Sequence, residues 1–568
     1  MSTHARPLAV WLAAASDAEL ERLFAGRGVR PDAAWNDFFD VAEALLDPAS
    51  VDRAVSTLSR QDAAAIAGIA AGKDAGAPVD RLIALGLIDP DGGLFAPVVE
   101  SVSGRSPVPA ADSGTATAAS DDASARAAEL AFATVGRLAD LLLAAREAPL
   151  ALLATGVLAA GEKKRLTEIG IDSEDADELR AIAADAALVR THERRVLPAA
   201  AAEDWLRLPF ADRWTRLVTA FRSALPIGIR TGAGWLPPAD WRSAYPWDAA
   251  WPGREQRLQR RARLLGVIAD DDTEPVWSAQ LRQGREADAE PLGRHVPAEV
   301  DRVFLQNDLT AIAPGPLQPA LDVRLRSMVE RDPAQSSSYR FTAESITHGL
   351  VEGETEASII EFLTALSLTG VPQPLAYLVT QTAQRHGLVR VWDSETGTIV
   401  TSSDSHLIET MSVDRSLRPL ALAAEDGMLT SRVRAETVYW ALVDARYPAT
   451  LVDDDGQAIS TRRAPAVDDA PTQSAPSYAA LIARLREHQG PDADAAWLDR
   501  ELEAAVRQRA VVIVEVGMPD GSSRELTLEA SGLGGGRLRG RDRAADVERT
   551  LPVSSIRSAR IVDASAEH

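Results

Sequence analysis

Helical spacing of apolar residues dominates the first part of the chain. Ser16 with Glu19 three positions later predicts a helix start closed by a capping box, and the apolar positions from Leu20 to Phe24 keep the spacing of one helix face. Ser59 is placed to cap a further helix in the same way. This part of the chain is therefore predicted to be helical.

The segment Val79–Phe95 interrupts this pattern with a short hairpin. A helix is predicted to end at Gly86, and a strand, a Pro-Asp-Gly-Gly turn and a second strand follow it. Asp-Gly favours the tight turns of β-hairpins. Two helices followed by a small hairpin is the order of a winged helix, a class that includes binders of DNA and binders of protein alone.

The segment Pro149–Arg194 shows a similar order of predicted helices and strands. A helix is predicted over Glu162–Ile169, Ser173 is placed to cap a second helix, and a strand-like segment follows. Lys163 and Lys164 lie at the start of the first helix. They are candidates for contact with phosphate, and a solvated helix face explains them equally well.

A long middle segment is rich in tryptophan and arginine. Its stretch Arg254–Arg263 is the strongest basic cluster of the chain, and on a helix Arg257, Arg260 and Arg261 spread over more than one face. The stretch Leu264–Trp277 is predicted to form the strand, turn and strand of another wing. Three such units suggest tandem winged-helix-like modules; the alternative is a helical protein with acidic surface loops.

The segment Val303–His386 has the clearest order of elements. Two short strands are predicted on either side of a turn at Asn307–Asp308, and a helix begins at Pro319. Thr342 and Thr355 are placed to cap two further helices.

The last helix of this segment begins at Pro372–Pro374. Apolar spacing predicts that Tyr377 and Leu378 face the core. Gln306 and Asn307 are candidate polar contacts, although a turn explains Asn307 better.

Five short motifs in this segment form an ordered set. They are Leu305–Thr310 (LQNDLT), Pro314–Leu317 (PGPL), Tyr339–Ser345 (YRFTAES), Glu361–Leu363 (EFL) and Val371–Pro374 (VPQP). The set resembles the helicase-associated domain of the N-terminal region of XPB-type DNA-repair helicases, which free-standing bacterial proteins carry without a motor. Leu8–Phe39 and Pro149–Leu188 are similar to those motor-less proteins as well. The resemblance implies a mixed α/β domain and a DNA-repair or transcription context, with binding as the activity.

Short strands at close spacing are predicted near the C-terminus. They cover Ala510–Val516, Arg524–Glu529, Arg537–Arg541, Glu548–Pro552 and Ile556–Val562. This spacing is typical of a small β-barrel. With Asp520–Gly521 in the first hairpin turn and Thr550–Pro552 in a closing strand, the pattern resembles a degenerate WYL domain, an SH3-like barrel that binds nucleic acid or nucleotide ligands in bacterial regulators. Gly536–Gly540 stands where that family has Trp-Tyr-Leu.

The arginines of this region alternate along one predicted strand. Arg537, Arg539, Arg541 and Arg543 therefore share one strand face. Such a row suits phosphate binding, and it suits equally well a polar edge that prevents aggregation.

Several kinds of chemistry are absent from the 568 residues. With no cysteine, the chain excludes disulfides, thiolate zinc sites, iron–sulfur clusters and cysteine nucleophiles. Gly532–Gly536 is followed by Arg537 and not by the Lys-Ser or Lys-Thr of an ATP-binding loop. The eight histidines lack metal-binding spacing, and the runs Asp270–Asp272 and Asp453–Asp455 lack the alternation of a calcium loop. We therefore expect no enzyme activity, no metal and no cofactor.

The formal net charge of -23 opposes DNA binding by the surface as a whole, because affinity for DNA depends on neutralising phosphates. A local basic face is still compatible with this charge. The apolar patch Leu8–Ala15 is too short for a membrane span. A cytoplasmic protein without membrane contact is expected.

Two segments poor in apolar residues are predicted as linkers, and they divide the chain. The predicted order is an N-terminal helical, winged-helix-like domain at 1–101, a linker at 102–126, a helix-turn-helix-like module at 127–200, a Trp- and Arg-rich winged-helix-like module at 201–300, the helicase-associated domain at 301–452, a linker at 453–477, and a helix with a WYL-like SH3-like barrel at 478–568. The predicted fold class is α+β, multidomain and mainly helical.

The function expected from these features is binding. We expect a non-catalytic accessory or regulatory protein that contacts DNA, a helicase, or a repair or transcription protein. The candidate nucleic-acid-binding residues are Arg257, Arg260, Arg261, Lys163, Lys164, Arg537, Arg539 and Arg541. The alternative is a protein–protein scaffold that binds no nucleic acid, which the acidic charge favours.

Overall fold

Helices form about half of the chain, and small sheets lie between them. The computed structural model describes residues 5–73, 79–89, 91–108, 116–331, 338–394, 397–453, 459, 477–490, 493–518 and 522–562. Five hydrophobic cores organise these elements. The mixture of helices and sheets and the five separate cores confirm that the fold class is α+β and multidomain.

The N-terminal core is built from short helices. They are α1 (Ala5–Ala14), α2 (Asp17–Gly26), α3 (Phe38–Leu46), α4 (Pro48–Ser56), α5 (Arg60–Ala70), α6 (Asp80–Ala84) and α7 (Ala96–Ser103). Ser16 and Glu19 form the predicted capping box at the start of α2, and Ser59 caps α5. Of the predicted hairpin after α6, the described residues keep a single bridge between Ile88 and Leu94.

The largest core belongs to the segment that follows. Its helices are α8 (Asp121–Glu147), α9 (Ala160–Glu168), α10 (Ala176–Asp185), α11 (Ala200–Trp205), α12 (Phe210–Ala224), α13 (Pro238–Trp241), α14 (Trp251–Leu264), α15 (Val276–Arg282) and α16 (Glu290–Gly293). Its strands are β1 (Leu150–Ala151), β2 (Val189–His192), β3 (Arg195–Pro198), β4 (Arg230–Thr231) and β5 (Gly234–Trp235). The first three strands form an antiparallel sheet in the order β1-β3-β2, and β4 pairs with β5.

Buried tryptophans hold this core together. Each of five indole N–H groups donates to a backbone carbonyl, which lets the ring be buried without an unpaired donor. These tryptophans are Trp205, Trp214, Trp241, Trp251 and Trp277. The predicted modules 127–200 and 201–300 therefore share one hydrophobic core.

Three details of this segment differ from the prediction. Helix α8 begins at Asp121, inside the segment predicted as a linker, because Ser120 caps it and its alanine-rich face is buried. Helix α10 begins at Ala176, and the cap predicted at Ser173 is not formed. The stretch Leu264–Trp277 contains a turn and the start of α15 instead of a wing, and its residue Glu274 bridges Ala118 in parallel.

The third core covers the segment with the ordered motifs. It contains β6 (Phe304–Leu305), β7 (Thr310–Ile312), α17 (Pro319–Arg326), β8 (Glu330–Arg331), β9 (Ser338–Arg340), α18 (Ala343–Val351), α19 (Glu356–Leu366) and α20 (Gln373–Arg385). The sheet order is β6-β7-β9-β8. Thr342 and Thr355 cap α18 and α19 as predicted, each in a capping box with the serine three positions later.

The fourth core is a five-stranded sheet with helices beside it. Its elements are β10 (Val389–Ser394), β11 (Gly397–Ser402), α21 (Ser405–Val413), β12 (Ala423–Glu425), β13 (Met428–Ser431), α22 (Ala435–Asp444) and β14 (Ala449–Leu451). The order is β12-β13-β11-β10-β14, with β10 and β14 parallel.

The fifth core forms at the C-terminal end. Its elements are α23 (Ala479–Glu487), α24 (Ala493–Gln508), β15 (Val511–Gly517), β16 (Ser523–Gly534), β17 (Arg537–Asp542), β18 (Val547–Pro552) and β19 (Ile556–Val562). All five predicted strands occur at their predicted places. The predicted barrel is not closed in the described residues, because the sheet order β18-β17-β16-β15-β19 leaves β18 and β19 as unjoined edges. The predicted turn at Asp520–Gly521 lies outside the described residues.

Helices α23 and α24 join the two ends of the chain. Tyr478 and Trp497 belong to the N-terminal core, and the Tyr478 hydroxyl donates to the Val29 carbonyl at 2.9 Å. Arg500 on α24 pairs with Asp40 at 2.8 Å. Other residues of α24 pack under the C-terminal sheet. The C-terminal unit is thus anchored on the N-terminal helices by packing and by charge.

Candidate nucleic-acid interface

Two of the predicted arginines form ion pairs with carboxylates of the protein itself. On α14, Arg260 pairs with Asp175 at 2.8 Å and Arg261 pairs with Glu178 at 2.6 Å. Both carboxylates lie at the start of α10, and that of Glu178 is buried. Arg260 and Arg261 therefore hold α14 against α10, and their charge is already matched before any phosphate approaches.

The pKa shifts of the charged groups between α10 and α14 agree with the geometry of their contact. Partial burial acts to lower the pKa of Arg260, but the hydrogen bond and the charge of Asp175 outweigh it and raise that pKa. Burial raises the pKa of Asp185, which lies 3.5 Å from Arg261, despite the attraction of the guanidinium. Ion pairs between partly buried groups therefore hold α10 and α14 in contact.

Removing Arg261 is expected to lower stability. Arg261→Ala leaves the buried Glu178 carboxylate without this partner, so we expect a loss of about 1–3 kcal/mol in the free energy of unfolding. Urea unfolding of the full chain measures it. Arg257→Ala on the same helix is the matched control and should change stability by less than about 0.5 kcal/mol. Equal effects of the two variants would contradict the role of Arg261 in the contact between α10 and α14.

The remaining basic candidates of the middle segment differ in their surroundings. Lys163 pairs with Asp177 at 2.6 Å. Lys164 and Arg257 are exposed and form no ion pair with any residue that the structure describes. Of these three basic candidates, only Lys164 and Arg257 therefore carry a surface charge that is free of ion pairs with the described residues.

Three arginines of the predicted row lie on β17 of the C-terminal sheet, whereas Arg543 follows the strand and pairs with Glu529 at 3.0 Å. Arg537 and Arg539 are exposed and are free of ion pairs within the described ranges. They lie opposite Gly534 and Gly532 on β16, where an added side chain would meet no atom within 4 Å. Arg541 pairs instead with Asp546 at 2.6 Å. An open, positively charged surface therefore surrounds the first two arginines.

A second exposed surface lies on α20. Six of its residues are exposed, and at 100° per residue they fall within one third of the helix circumference. They are Gln373, Pro374, Tyr377, Gln381, Gln384 and Arg385, and we call them the α20 face. Leu375, Val379 and Thr382 are buried on the opposite side. The helix therefore presents amides, a phenol and a guanidinium to solvent.

The prediction that Tyr377 faces the core is wrong. Its side chain is 62% exposed, and the Gln381 amide donates to its hydroxyl at 2.6 Å. Leu375 and Val379 take the buried positions instead. Adjacent residues lie about 100° apart on a helix, so Tyr377 falls outside the stripe of Leu375 and Val379 that α18 and α19 cover.

Two helices pack against α20, and a hairpin follows it. Helices α18 and α19 pack against α20, a short turn joins α19 to α20, and the hairpin β10–β11 follows with Val389 opposite Ser402. No acidic residue occurs in α20. At its end, burial lowers the pKa of His386, whose Nε2 lies 3.2 Å from the Thr450 hydroxyl. The α20 face therefore carries a positive charge at Arg385 and no negative one.

In the part of the chain that the structure describes, no group of three or more histidine, aspartate or glutamate side chains could hold a metal ion. Among the described helices, none combines the length and the apolar character needed to cross a membrane.

A comparison with known families covers the part of the chain that contains α20. Residues 303–426 match the family described as the helicase conserved C-terminal domain. The match supports a helicase-associated domain in this part of the chain, and it contains α17–α20 and the hairpin β10–β11. It ends within the fourth core, before β13, α22 and β14. No curated protein matches the chain.

Proposed function

We propose that this protein is a non-catalytic, DNA-associated accessory or regulatory protein that binds nucleic acid through the α20 face. The observation that carries the proposal is the exposure of Tyr377 with three glutamines and an arginine on one side of a helix inside a helicase-related domain. Glutamine pairs with adenine in the major groove, tyrosine stacks on bases, and arginine contacts phosphate or guanine. All three chemistries are thus available on a single helix.

Two parts of the chain are proposed as winged-helix modules. The order α18, α19, α20 and hairpin β10–β11 supports the first, in which α20 would enter a groove. The order α8, β1, α9, α10, β2, β3 with the sheet β1-β3-β2 supports the second. The finer assignments, to the N-terminal domain of XPB-type helicases and to a WYL-like barrel, are proposals that rest on the motifs quoted above. A repair or transcription context and a helicase partner rest on the same motifs.

The arginine row on β17 would supply a further contact to the phosphate backbone. The proposal favours Arg537 and Arg539 over Arg541, because only Arg541 already has a carboxylate partner. Lys164 and Arg257 would be additional phosphate contacts, whereas Lys163, Arg260 and Arg261 would act mainly in packing.

A salt titration tests the DNA contact of β17. Labelled duplex and single-stranded oligonucleotides are titrated with the full chain between about 50 and 200 mM salt. Arg537→Ala with Arg539→Ala should weaken binding and make the slope of log affinity against log salt shallower by about 1 for each lost phosphate contact. Arg541→Ala is the matched control with a smaller change. An unchanged salt slope in the double variant would show that β17 is not part of the nucleic-acid interface.

The second candidate function is a protein–protein scaffold that binds no nucleic acid. The net charge of -23 favours it, since the surface as a whole repels phosphate. Undetectable binding of both oligonucleotides at about 50 mM salt would decide for the scaffold.

A further inference from the structure

A cavity of about 430 Å³ lies where the helicase-related domain meets the middle unit. Phe132, Gly136 and Asp140 of α8 and Phe210 of α12 form one side, and Tyr339 with other residues of the helicase-related domain forms the other. Small-molecule sites of proteins have volumes of roughly 300–1,000 Å³. The cavity is therefore large enough for a small ligand that would touch both units.

The walls of the cavity combine apolar residues and three aromatic rings with five charged residues. The rings of Phe132 and Phe210 lie 5.1 Å apart at 56°. Gly136 and Pro297 at the rim are exposed, whereas Asp140 is buried one helical turn further along α8. A Cβ added at Gly136 would meet no atom within 4 Å, so the glycine leaves the entrance open.

The cations of the cavity are already engaged. The Arg213 guanidinium donates to the carbonyls of Trp205 and Leu206, and burial lowers the pKa of Arg213 to about 10. Arg326 pairs with Asp140 at 2.7 Å. Neither guanidinium is therefore offered to an anionic ligand.

The carboxylates of the cavity have acceptor capacity left. Glu299 Oε1 accepts from the Phe210 amide at 2.9 Å. Asp322 Oδ1 accepts from the Tyr339 hydroxyl at 2.7 Å, and Asp322 Oδ2 lies 3.6 Å from Arg326. A carboxylate has about four lone-pair positions, so further donors fit on both groups. With Asp140, three carboxylates face two guanidiniums, which disfavours a phosphate inside.

We propose that this cavity binds an amino-substituted planar heterocycle of the class of adenine or cytosine. The aromatic walls would take the ring, and Glu299 and Asp322 would accept hydrogen bonds from its amino group. The heterocycle could come from a free nucleoside or from a base turned out of a single strand, with its phosphate left outside. This inference does not depend on binding by the α20 face.

Ligand-observed NMR with adenosine as the probe tests the proposal. Saturable adenosine binding is expected, with weaker binding of inosine, which lacks the amino group. Binding of inosine equal to that of adenosine would overturn the assignment of the carboxylates. Absence of adenosine binding at millimolar concentration would overturn the site.

Variants at Gly136 link the signal to the cavity. Gly136→Leu fills the entrance and should weaken adenosine binding at least tenfold. Gly161 is an exposed helical glycine outside the cavity, so Gly161→Leu should leave adenosine binding unchanged. Gly136→Ala is the control for the backbone: alanine favours helix and its Cβ has open space, so the fold is kept and affinity should change little. Adenosine binding unchanged in Gly136→Leu would overturn the proposal.

Competition by oligonucleotides separates the two sources of the heterocycle. If oligo-dA displaces adenosine and an abasic oligonucleotide does not, the base of a strand can enter. If neither displaces it, the site takes free nucleosides. The variant of the α20 face, Tyr377→Ala with Gln381→Ala, should bind adenosine as the unaltered chain does, so a failure of DNA binding and a failure of this site are distinguishable.

Discussion

Replacing Tyr377 and Gln381 together by alanine is expected to lower DNA affinity by about 10- to 100-fold. Stacking of a base on an aromatic side chain contributes about 1–3 kcal/mol, and a well-placed amide pair about the same. Because each 1.4 kcal/mol corresponds to a factor of ten, even the lower ends of both ranges give this loss. Fluorescence anisotropy with a labelled oligonucleotide at constant salt measures it.

The double variant should retain its fold, because both side chains are exposed and their mutual hydrogen bond lies at the surface. Gln61→Ala, an exposed glutamine on α5, is the matched control and should leave affinity unchanged. If the double variant binds as tightly as the control, the α20 face is not the nucleic-acid contact. The salt slope adds a further check: loss of base contacts should leave it nearly constant, unlike loss of Arg537 and Arg539.

Asp140→Ala is expected to destabilise the protein by about 3–5 kcal/mol. Asp140 on α8 is 7% exposed and pairs with Arg326 of α17, so this contact joins the middle unit to the helicase-related domain. The nearby carboxylates raise the pKa of Arg326 although burial acts to lower it. Without Asp140, a charged guanidinium stays in a desolvated place with Asp322 at 3.6 Å as its remaining ion pair among the described residues.

Calorimetry of the full chain measures this loss as a lower midpoint of thermal unfolding. Glu129→Ala, an exposed acidic position on the same helix, is the control and should change stability by less than about 0.5 kcal/mol. Replacing both partners, Asp140→Leu with Arg326→Met, should recover much of the loss, because no unpaired buried charge remains. A double variant as unstable as Asp140→Ala would show that the charge pair is not the cause.

Local patterns were sufficient for much of the secondary structure. Ser16, Ser59, Thr342 and Thr355 cap helices as predicted, because a capping hydrogen bond depends on residues three positions apart. The five C-terminal strands also lie where alternation and turn residues place them. The ordered motifs after residue 303 correctly pointed to a helicase-associated domain.

The candidate site was harder to predict, because charge in a sequence does not reveal its partners. Arg260 and Arg261 looked like phosphate ligands, but they contact acidic residues about 80 positions earlier in the chain. The α20 face was missed because a tyrosine among apolar residues suggests burial. Its exposure depends on which side of α20 the helices α18 and α19 cover.

Short-range information therefore determined several helix caps and the places of the C-terminal strands, although it misplaced the starts of α8 and α10. Tertiary contacts decided that α23 and α24 pack on the N-terminal helices, that the segments on either side of residue 200 share one core, and which arginines remain exposed. The reason is physical. A cap or a turn is stabilised within one helical turn of the chain, whereas burial and ion pairing depend on groups that folding brings together from distant positions.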